Sequence, residues 1–350
     1  MTSSHPTKTR PIPQEAFDWY DEYAHGLIDR RTFMSRLAGL TAAGFSMAAL
    51  TTALLPDYAE AEQVSFNDPD IRPRYVTFDS PKGHGECGGY LVLPAGLEAQ
   101  APAVLVVHEN RGLNPYIEDV ARRLAKAGFV AFAPDALYPL GGYPGNDDEG
   151  RAMQRGMDRG KLEEDFIAAA GFLKAHEASS GRLGAVGFCF GGYIVNMLAA
   201  VIPESLDAGV PFYGTPAAPE LRANIRGPLL VQLAELDKRV NASWPDYQAE
   251  LDANDVPYTM HMYEGANHGF HNDSTGRYDP EAAELAWTRT LEYHPHVHGL
   301  VPGGGVSAEG TWRPARPITR SHAAFLSSTR LPNSGIAPNR FAKPEPSRST

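Results

Sequence analysis

Short apolar runs that alternate with helical patterns constrain the fold of this chain more than any other feature. Residues 101–107 read APAVLVV and residues 129–134 read FVAFAP, and apolar residues recur at helical spacing between Pro115 and Gly128. A strand without polar alternation is typical of a parallel sheet covered on both faces. Similar runs follow at 182–188, 207–213, 228–234 and 258–264, before a predicted closing helix over 280–293. The sequence therefore predicts an α/β fold with a mainly parallel central sheet and helices on both faces.

Length and composition narrow the classes of protein that fit this fold. The 350 residues are enough for one α/β domain with terminal extensions, and 43% of them are hydrophobic. The net charge of −11 argues against a nucleic-acid partner, because phosphate binding needs a basic face. The two cysteines, Cys87 and Cys189, are too few for a disulfide scaffold or a multi-cysteine metal site. A disulfide between them is formally allowed, but their sequence settings differ, so we expect two free thiols.

The first 61 residues resemble a twin-arginine export signal. An uncharged stretch over residues 37–55 follows Arg30-Arg31, and Ala59-Glu60-Ala61 fits a small-x-small cleavage pattern. This interpretation predicts a periplasmic or secreted protein without stable membrane insertion. Two alternatives stay open. One is a packed or disordered extension on a cytoplasmic protein, and the other is a membrane anchor, which the Gly and Thr content disfavours.

The remaining chain divides into a body over residues 62–294 and a tail over residues 295–350. The tail is rich in Pro, Gly, Ser, Thr and Arg, so we expect it to be disordered, and it is either a natural extension or a reading-frame artefact. His294, His296 and His298 alternate at the boundary. With no carboxylate or cysteine nearby, they do not predict a metal site, and no cofactor is expected elsewhere.

The motif GFCFGG over residues 187–192 has the spacing of a nucleophile elbow. It follows a predicted strand and precedes a predicted helix, which is the context such a turn requires. The glycines allow a tight turn that lifts Cys189 above the carboxyl edge of the sheet. The helix N-terminus favours a thiolate there. A buried core thiol is the alternative for Cys189, but the glycines on both sides of it favour a nucleophile.

An acid and a histidine follow the motif in the chain order that the elbow predicts. Asp237 comes after the strand PLLVQLA, and His268 comes after the strand YTMHMYE. Both therefore belong at the sheet edge that carries Cys189, where His268 would take the thiol proton and Asp237 would orient it. Alone, Asp237 could be a turn or helix cap and His268 an ordinary loop histidine. The order of all three favours a triad.

A third group of polar residues, HENRG over residues 108–112, follows the first long parallel strand. This is the place for the second oxyanion donor, so the backbone N–H groups of Asn110 and Phe190 are the predicted pair. Glu109 ends an apolar strand and needs a function or a partner to offset its burial. A salt bridge to Arg111 is the structural alternative for Glu109.

These motifs together resemble those of the dienelactone hydrolase family, which comprises cysteine-dependent α/β hydrolases. The resemblance spans about residues 70–293 and rests on GFCFGG, AELDKRV, ANHGF and HENRG. It implies an α/β-hydrolase fold in which Cys189 is the nucleophile, Asp237 the triad acid and His268 the base. It also implies that Glu109 contacts the resting thiol and helps to ionise it. The implied substrates are small esters or lactones, cleaved through a thioester acyl-enzyme.

The candidate substrate-binding residues depart from the family pattern. An arginine is expected four residues after the histidine, where this chain has Asn272, and Arg277 lies further on. A second arginine belongs to the variable loop, where Arg151 and Arg155 are candidates, and Arg111 is a further one. The resemblance therefore predicts the triad but not the physiological substrate.

The sequence thus predicts a carboxylic ester hydrolase that is a monomer or a small homo-oligomer. Its alternatives are an exported binding module without turnover on the same fold, and a redox-sensing role for Cys189, for which Cys87 is poorly placed as a resolving thiol.

Overall fold

The structure is a computed structural model that describes residues 12–58 and 61–293. Its strands are β1 (Ile71–Ser80), β2 (Gly85–Pro94), β3 (Ala101–Val107), β4 (Val130–Asp135), β5 (Ser179–Phe188), β6 (Ala208–Phe212), β7 (Leu229–Ala234) and β8 (Tyr258–Tyr263). Its helices are α1 (Gln14–Ala24), α2 (Arg30–Thr41), α3 (Met47–Leu54), α4 (Pro115–Lys126), α5 (Asp147–Arg155), α6 (Arg159–Ala175), α7 (Phe190–Val201), α8 (Pro219–Arg222), α9 (Lys238–Asn241), α10 (Trp244–Ala253) and α11 (Pro280–Tyr293), with a 3₁₀ turn at Tyr138–Leu140. The three alternating histidines and the predicted tail lie outside the described residues.

The strands form one eight-stranded sheet in the order β1-β2-β4-β3-β5-β6-β7-β8. Strand β2 runs antiparallel to both of its neighbours, and every pairing from β4 to β8 is parallel. The predicted α/β-hydrolase architecture is confirmed. The apolar runs at 101–107, 228–234 and 258–264 coincide with strands to within one residue, whereas the antiparallel pair at the edge carries no such run.

Two hydrophobic clusters cover the two faces of the sheet. Helices α6, α7 and α10 contribute to one cluster, and α4 and α11 contribute to the other. In α4 the predicted stripe of Ile117, Val120, Ala121 and Leu124 is buried. Gly128 follows this helix with φ +97°, a conformation that favours glycine. Because the helices press on both faces, the carboxyl ends of the strands are left for polar residues.

The N-terminal helices α1–α3 form a third cluster around Tyr20, Leu37 and Leu50. This cluster packs onto the body: Asp57 N donates to Ser274 O over 2.6 Å. A Cβ at Gly276 would overlap the carbonyl of Ala53, so the two backbones are in direct contact. Residues 12–58 are therefore a packed extension in this structure, and their use as an export signal stays a prediction. None of the helices in the described ranges has the length and apolar character needed to cross a bilayer.

Candidate active site

Cys189 occupies a strained turn between β5 and α7. Its φ of 56° and ψ of −110° lie where residues other than glycine are rare, and its backbone N–H donates to Phe212 O over 3.0 Å. The neighbouring glycines make the turn possible. A Cβ at Gly187 would overlap Gly191 O, and one at Gly191 would overlap Val107 O. This geometry holds the Cys189 side chain at the carboxyl edge of the sheet, at the first turn of α7.

The predicted acid and base lie together at this edge. His268 Nδ1 is 2.5 Å from Asp237 Oδ2, and both side chains are buried. Asp237 also caps α9, since its Oδ1 accepts from Val240 N over 3.1 Å, so the cap that was weighed as an alternative coexists with the histidine contact. Nε2 of His268 is buried and has no hydrogen-bond partner among the described residues.

A second histidine, which the sequence did not single out, reaches the thiol from the end of α1. His25 Nε2 lies 3.3 Å from Cys189 Sγ, and His25 Nδ1 lies 3.2 Å from Asp21 Oδ1. Ligand atoms of His25, Cys189 and His268 all lie within 4.8 Å of one another. These sulfur and nitrogen atoms are ligand types that Zn²⁺ accepts, but they are also the groups that a thiol nucleophile needs.

The electrostatics of the site favour a thiolate. Burial opposes ionisation, but the charges of His268 and His25 outweigh it and lower the pKa of Cys189 to about 5. Burial likewise disfavours the imidazolium form of His268, yet Asp21 and Asp237 raise its pKa to about 10. The pKa of His25 is also raised, because its burial is outweighed by Cys189 and Asp21. Cys87 differs, because burial and Asp165 raise the pKa of its thiol to about 12. Both thiols are free, as expected.

Glu109 is fully buried, and its carboxylate contacts Asn272 and Arg111 rather than the thiol of Cys189. Its Oε2 accepts from Asn272 Nδ2 over 2.9 Å and lies 3.6 Å from Arg111 Nη2. Arg111 Nη1 donates in turn to Asp147 Oδ2 over 2.8 Å. The salt bridge considered for Glu109 is thus present. The thiol contact that the family resemblance implies for this carboxylate is made here by His25.

A cavity of about 410 Å³ opens beside the sulfur, between the N-terminal segment and the body. Cys189, Asn110 and Phe190 lie on its wall, which also carries Arg151, Arg155, Arg159 and Arg239. Of the predicted substrate-binding residues, Arg151 is on this wall, and its Nη1 has no hydrogen-bond partner among the described residues. Arg111 and Asn272 are not on it, because they are engaged with Glu109.

Asp21 and Arg239 are two further residues of the site that the sequence did not single out, and Arg277 was noted there only as an arginine beyond Asn272. Arg239 Nε donates to Asp21 Oδ2 over 3.3 Å. Arg277 is buried against the Tyr20 ring, with Nη1 4.0 Å from Asp21 Oδ1. One signal was available, since Asp21 and His25 are one helical turn apart in the segment before Arg30-Arg31. The other contacts depend on how that leader packs.

Comparison with known proteins agrees with this fold. The sequence model described as "Dienelactone hydrolase family" matches residues 87–297, more than half of the chain. Two further models match the ends, "YqhI-like" over residues 5–43 and "Putative transposase" over residues 284–332.

Two relatives and one solved structure illustrate the likeness. The "Putative hydrolase fragment YghX" of Escherichia coli K12 is 63% identical over 110 residues, which cover 31% of this chain and 94% of that protein. A carboxymethylenebutenolidase of a Pseudomonas species is 32% identical over 222 residues, covering 60% and 90% of the two chains. A putative dienelactone hydrolase from Klebsiella pneumoniae superposes with a TM-score of 0.56 at 24% identity, covering 63% and 98%, which supports the fold alone. The chain therefore belongs to the dienelactone hydrolase family and is a hydrolase with the α/β-hydrolase fold.

Proposed function

We propose that this protein hydrolyses a small ester or lactone through a Cys189–His268–Asp237 triad and a thioester acyl-enzyme. The observation that carries the proposal is the buried 2.5 Å contact between His268 Nδ1 and Asp237 Oδ2 beside a thiol whose pKa is lowered to about 5. A thiolate held at a strained turn, with an oriented imidazole within reach, is the arrangement that nucleophilic acyl transfer needs.

The reaction follows from these positions. The Cys189 thiolate attacks the carbonyl carbon, and the backbone N–H groups of Asn110 and Phe190 stabilise the oxyanion. Collapse of the tetrahedral intermediate expels the alkoxide and leaves a thioester on the sulfur. His268, oriented by Asp237, then activates the water that cleaves this thioester. Esters are favoured over amides, because a thiolate is a better leaving group than an amide anion and attack on an amide tends to reverse.

The cavity supports a substrate that carries a carboxylate. Arg151 and Arg239 place guanidinium groups on the wall beside Cys189, and no acidic side chain is part of that wall among the described residues. Arginine binds carboxylates well because its fork can donate two parallel hydrogen bonds. The Pseudomonas relative is named for a lactone, carboxymethylenebutenolide, which fits this class.

A panel of aryl esters and lactones, with and without a carboxylate, tests the proposal. Cys189→Ala is expected to abolish hydrolysis across the panel, whereas Cys87→Ala, which removes the other buried thiol, is expected to retain it. A thiol-directed acylating probe should label the wild-type protein at Cys189 at neutral pH. Undiminished hydrolysis by Cys189→Ala would overturn the triad. Failure of the wild type to turn over any ester or to take up the probe would favour a binding module instead.

A further inference from the structure

The C-terminal end of α1 brings a second carboxylate–imidazole pair to the thiol. His25 is buried between Asp21 on its own helix and the sulfur of Cys189. Its Nδ1 lies 2.8 Å from Asp21 O and 3.2 Å from Asp21 Oδ1. Its Nε2 lies 3.3 Å from Cys189 Sγ. With Nδ1 held by Asp21, Nε2 is the nitrogen that faces the reacting atom.

The other charged or titratable groups around His25 come from three other parts of the chain. Arg239, on α9, places Nη2 2.9 Å from His25 Nε2. The ring centre of His268 lies 5.0 Å from that of His25, and the two ring planes are at 86° to each other. Arg155, at the end of α5, lies against Gly26, next to His25 in the chain. Because a guanidinium can only donate, the contact with Arg239 fits a His25 whose Nε2 carries a lone pair, and while Cys189 is still a thiol this nitrogen can accept its proton.

The two histidines are therefore not equivalent. Each has a carboxylate near Nδ1, and both Nε2 atoms face the sulfur, but His25 Nε2 lies 3.3 Å from it, whereas His268 Nε2 lies within 4.8 Å and makes no hydrogen bond of good geometry among the described residues. A nitrogen already in contact with the thiol is placed to take its proton. A buried nitrogen without a partner is placed to bind a water or a leaving oxygen.

We propose that His25, held by Asp21, is a second catalytic histidine that takes the thiol proton of Cys189, leaving His268 to activate the hydrolytic water. This division of roles rests on the proposed thioester mechanism. It differs from the assignment that the sequence suggested, in which one histidine serves both steps.

The proton balance closes over one turnover. The S–H bond of Cys189 breaks and an N–H bond forms at His25 Nε2, while Arg239 turns its hydrogen bond from that nitrogen to the thiolate. After attack on the carbonyl, the departing alkoxide takes the proton from His25. His268 Nε2 then removes a proton from water, and the hydroxide attacks the thioester. The sulfur leaves as a thiolate and takes that proton, which restores the thiol and releases the acid.

The pH dependence of Cys189 alkylation by iodoacetamide tests the proposal without requiring turnover. His25→Gln keeps a polar side chain but cannot hold the proton, so the alkylation midpoint is expected to rise by about one pH unit or more and the rate at pH 6 to fall about twofold or more. Asp21→Asn should shift the midpoint in the same direction, and it provides the test if His25→Gln does not fold. His261→Gln removes a histidine outside the site and should keep the wild-type midpoint.

Trapping of the acyl-enzyme provides the second arm of the test. With an aryl ester, His268→Gln is expected to accumulate the thioester on Cys189, seen by intact mass, whereas His25→Gln should form it slowly. If His25→Gln keeps the wild-type alkylation profile, or if His268→Gln rather than His25→Gln blocks acylation, the proposal is overturned. If Cys189→Ala retains hydrolysis, the thioester mechanism itself is wrong, so the two failures are distinguishable.

Discussion

His25 Nε2 lies 3.3 Å from Cys189 Sγ, so a residue at the end of the first N-terminal helix contacts the candidate nucleophile of a domain whose first strand begins almost fifty residues later. The same helix supplies Asp21, which lies 3.9 Å from His268 Nε2 and 4.0 Å from Arg277 Nη1. The N-terminal segment is thus part of the wall of the site as well as a cover for it.

Active enzyme purified from cells is expected to retain Asp21 and His25, because the helices that carry them are packed on the body. Intact mass and N-terminal sequencing of the active fraction check this. Cleavage after Ala61, as the export-signal prediction implies, would remove both residues. A mature protein that begins there and hydrolyses esters at the full rate would contradict a catalytic role for His25. Cell fractionation of the same culture tests the predicted export separately.

The reactivity of Cys189 is expected to persist to unusually acidic pH. Its pKa is lowered from the ordinary value of 9.0 to about 5, so the thiolate is present above pH 5 and is lost as the pH falls through that value. Ionisation of Cys189 also stabilises the folded protein. Its contribution to the free energy of unfolding is complete above the pKa of the unfolded thiol and is lost as the pH falls toward 5. Alkylation by iodoacetamide should therefore be nearly flat from pH 6 to 8. A small-molecule thiol, as the control, should lose reactivity below about pH 8.5.

Asp237→Asn is expected to reduce kcat for ester hydrolysis by about 10³- to 10⁴-fold, because an amide no longer fixes the imidazole tautomer or stabilises the imidazolium. Steady-state kinetics on the preferred ester measure this loss, and circular dichroism verifies the fold. Asp252→Asn, an exposed change on α10, is the matched control and should keep the wild-type rate. A loss of less than tenfold in Asp237→Asn would exclude this carboxylate as the triad acid.

Gly191→Ala is expected to destabilise the protein by about 1–3 kcal/mol, since its Cβ would overlap the backbone carbonyl of Val107. Urea denaturation measures the free energy of unfolding. Gly171→Ala is the control, because that glycine lies within α6 with open space around it, and the change should stabilise the helix by about 0.5–1 kcal/mol. Equal stability of the two variants would mean that the turn at Cys189 is looser than its geometry indicates.

Glu109→Ala is expected to cost about 3–5 kcal/mol, because it leaves the buried guanidinium of Arg111 with one carboxylate and removes the partner of Asn272. Asp70→Ala, which removes an exposed partner of Lys126, should change the unfolding free energy little. Thermal and urea denaturation compare the two. A small effect in both variants would show that Glu109 does not anchor this buried network.

The sequence by itself determined the sheet, the turn at Cys189 and the placement of Asp237 and His268 at the same sheet edge. Apolar runs such as 101–107 became buried strands because a strand without polar residues is stable only with both faces covered. The glycines around Cys189 were informative for a local reason, since a tight turn leaves no room for side chains. Asp237 and His268 could be placed because the carboxyl ends of parallel strands meet at one edge.

Only the tertiary structure decided what surrounds the thiol. The contact of His25 with Cys189 joins residues 164 positions apart, and no periodicity or spacing encodes how the end of α1 packs against the site. Packing likewise buries Arg111 and Asn272 against Glu109. Neither residue therefore lies on the cavity wall, whereas Arg151 does. Local patterns report the conformation of their own segment, whereas these partners are selected by the balance of burial and charge over the whole fold.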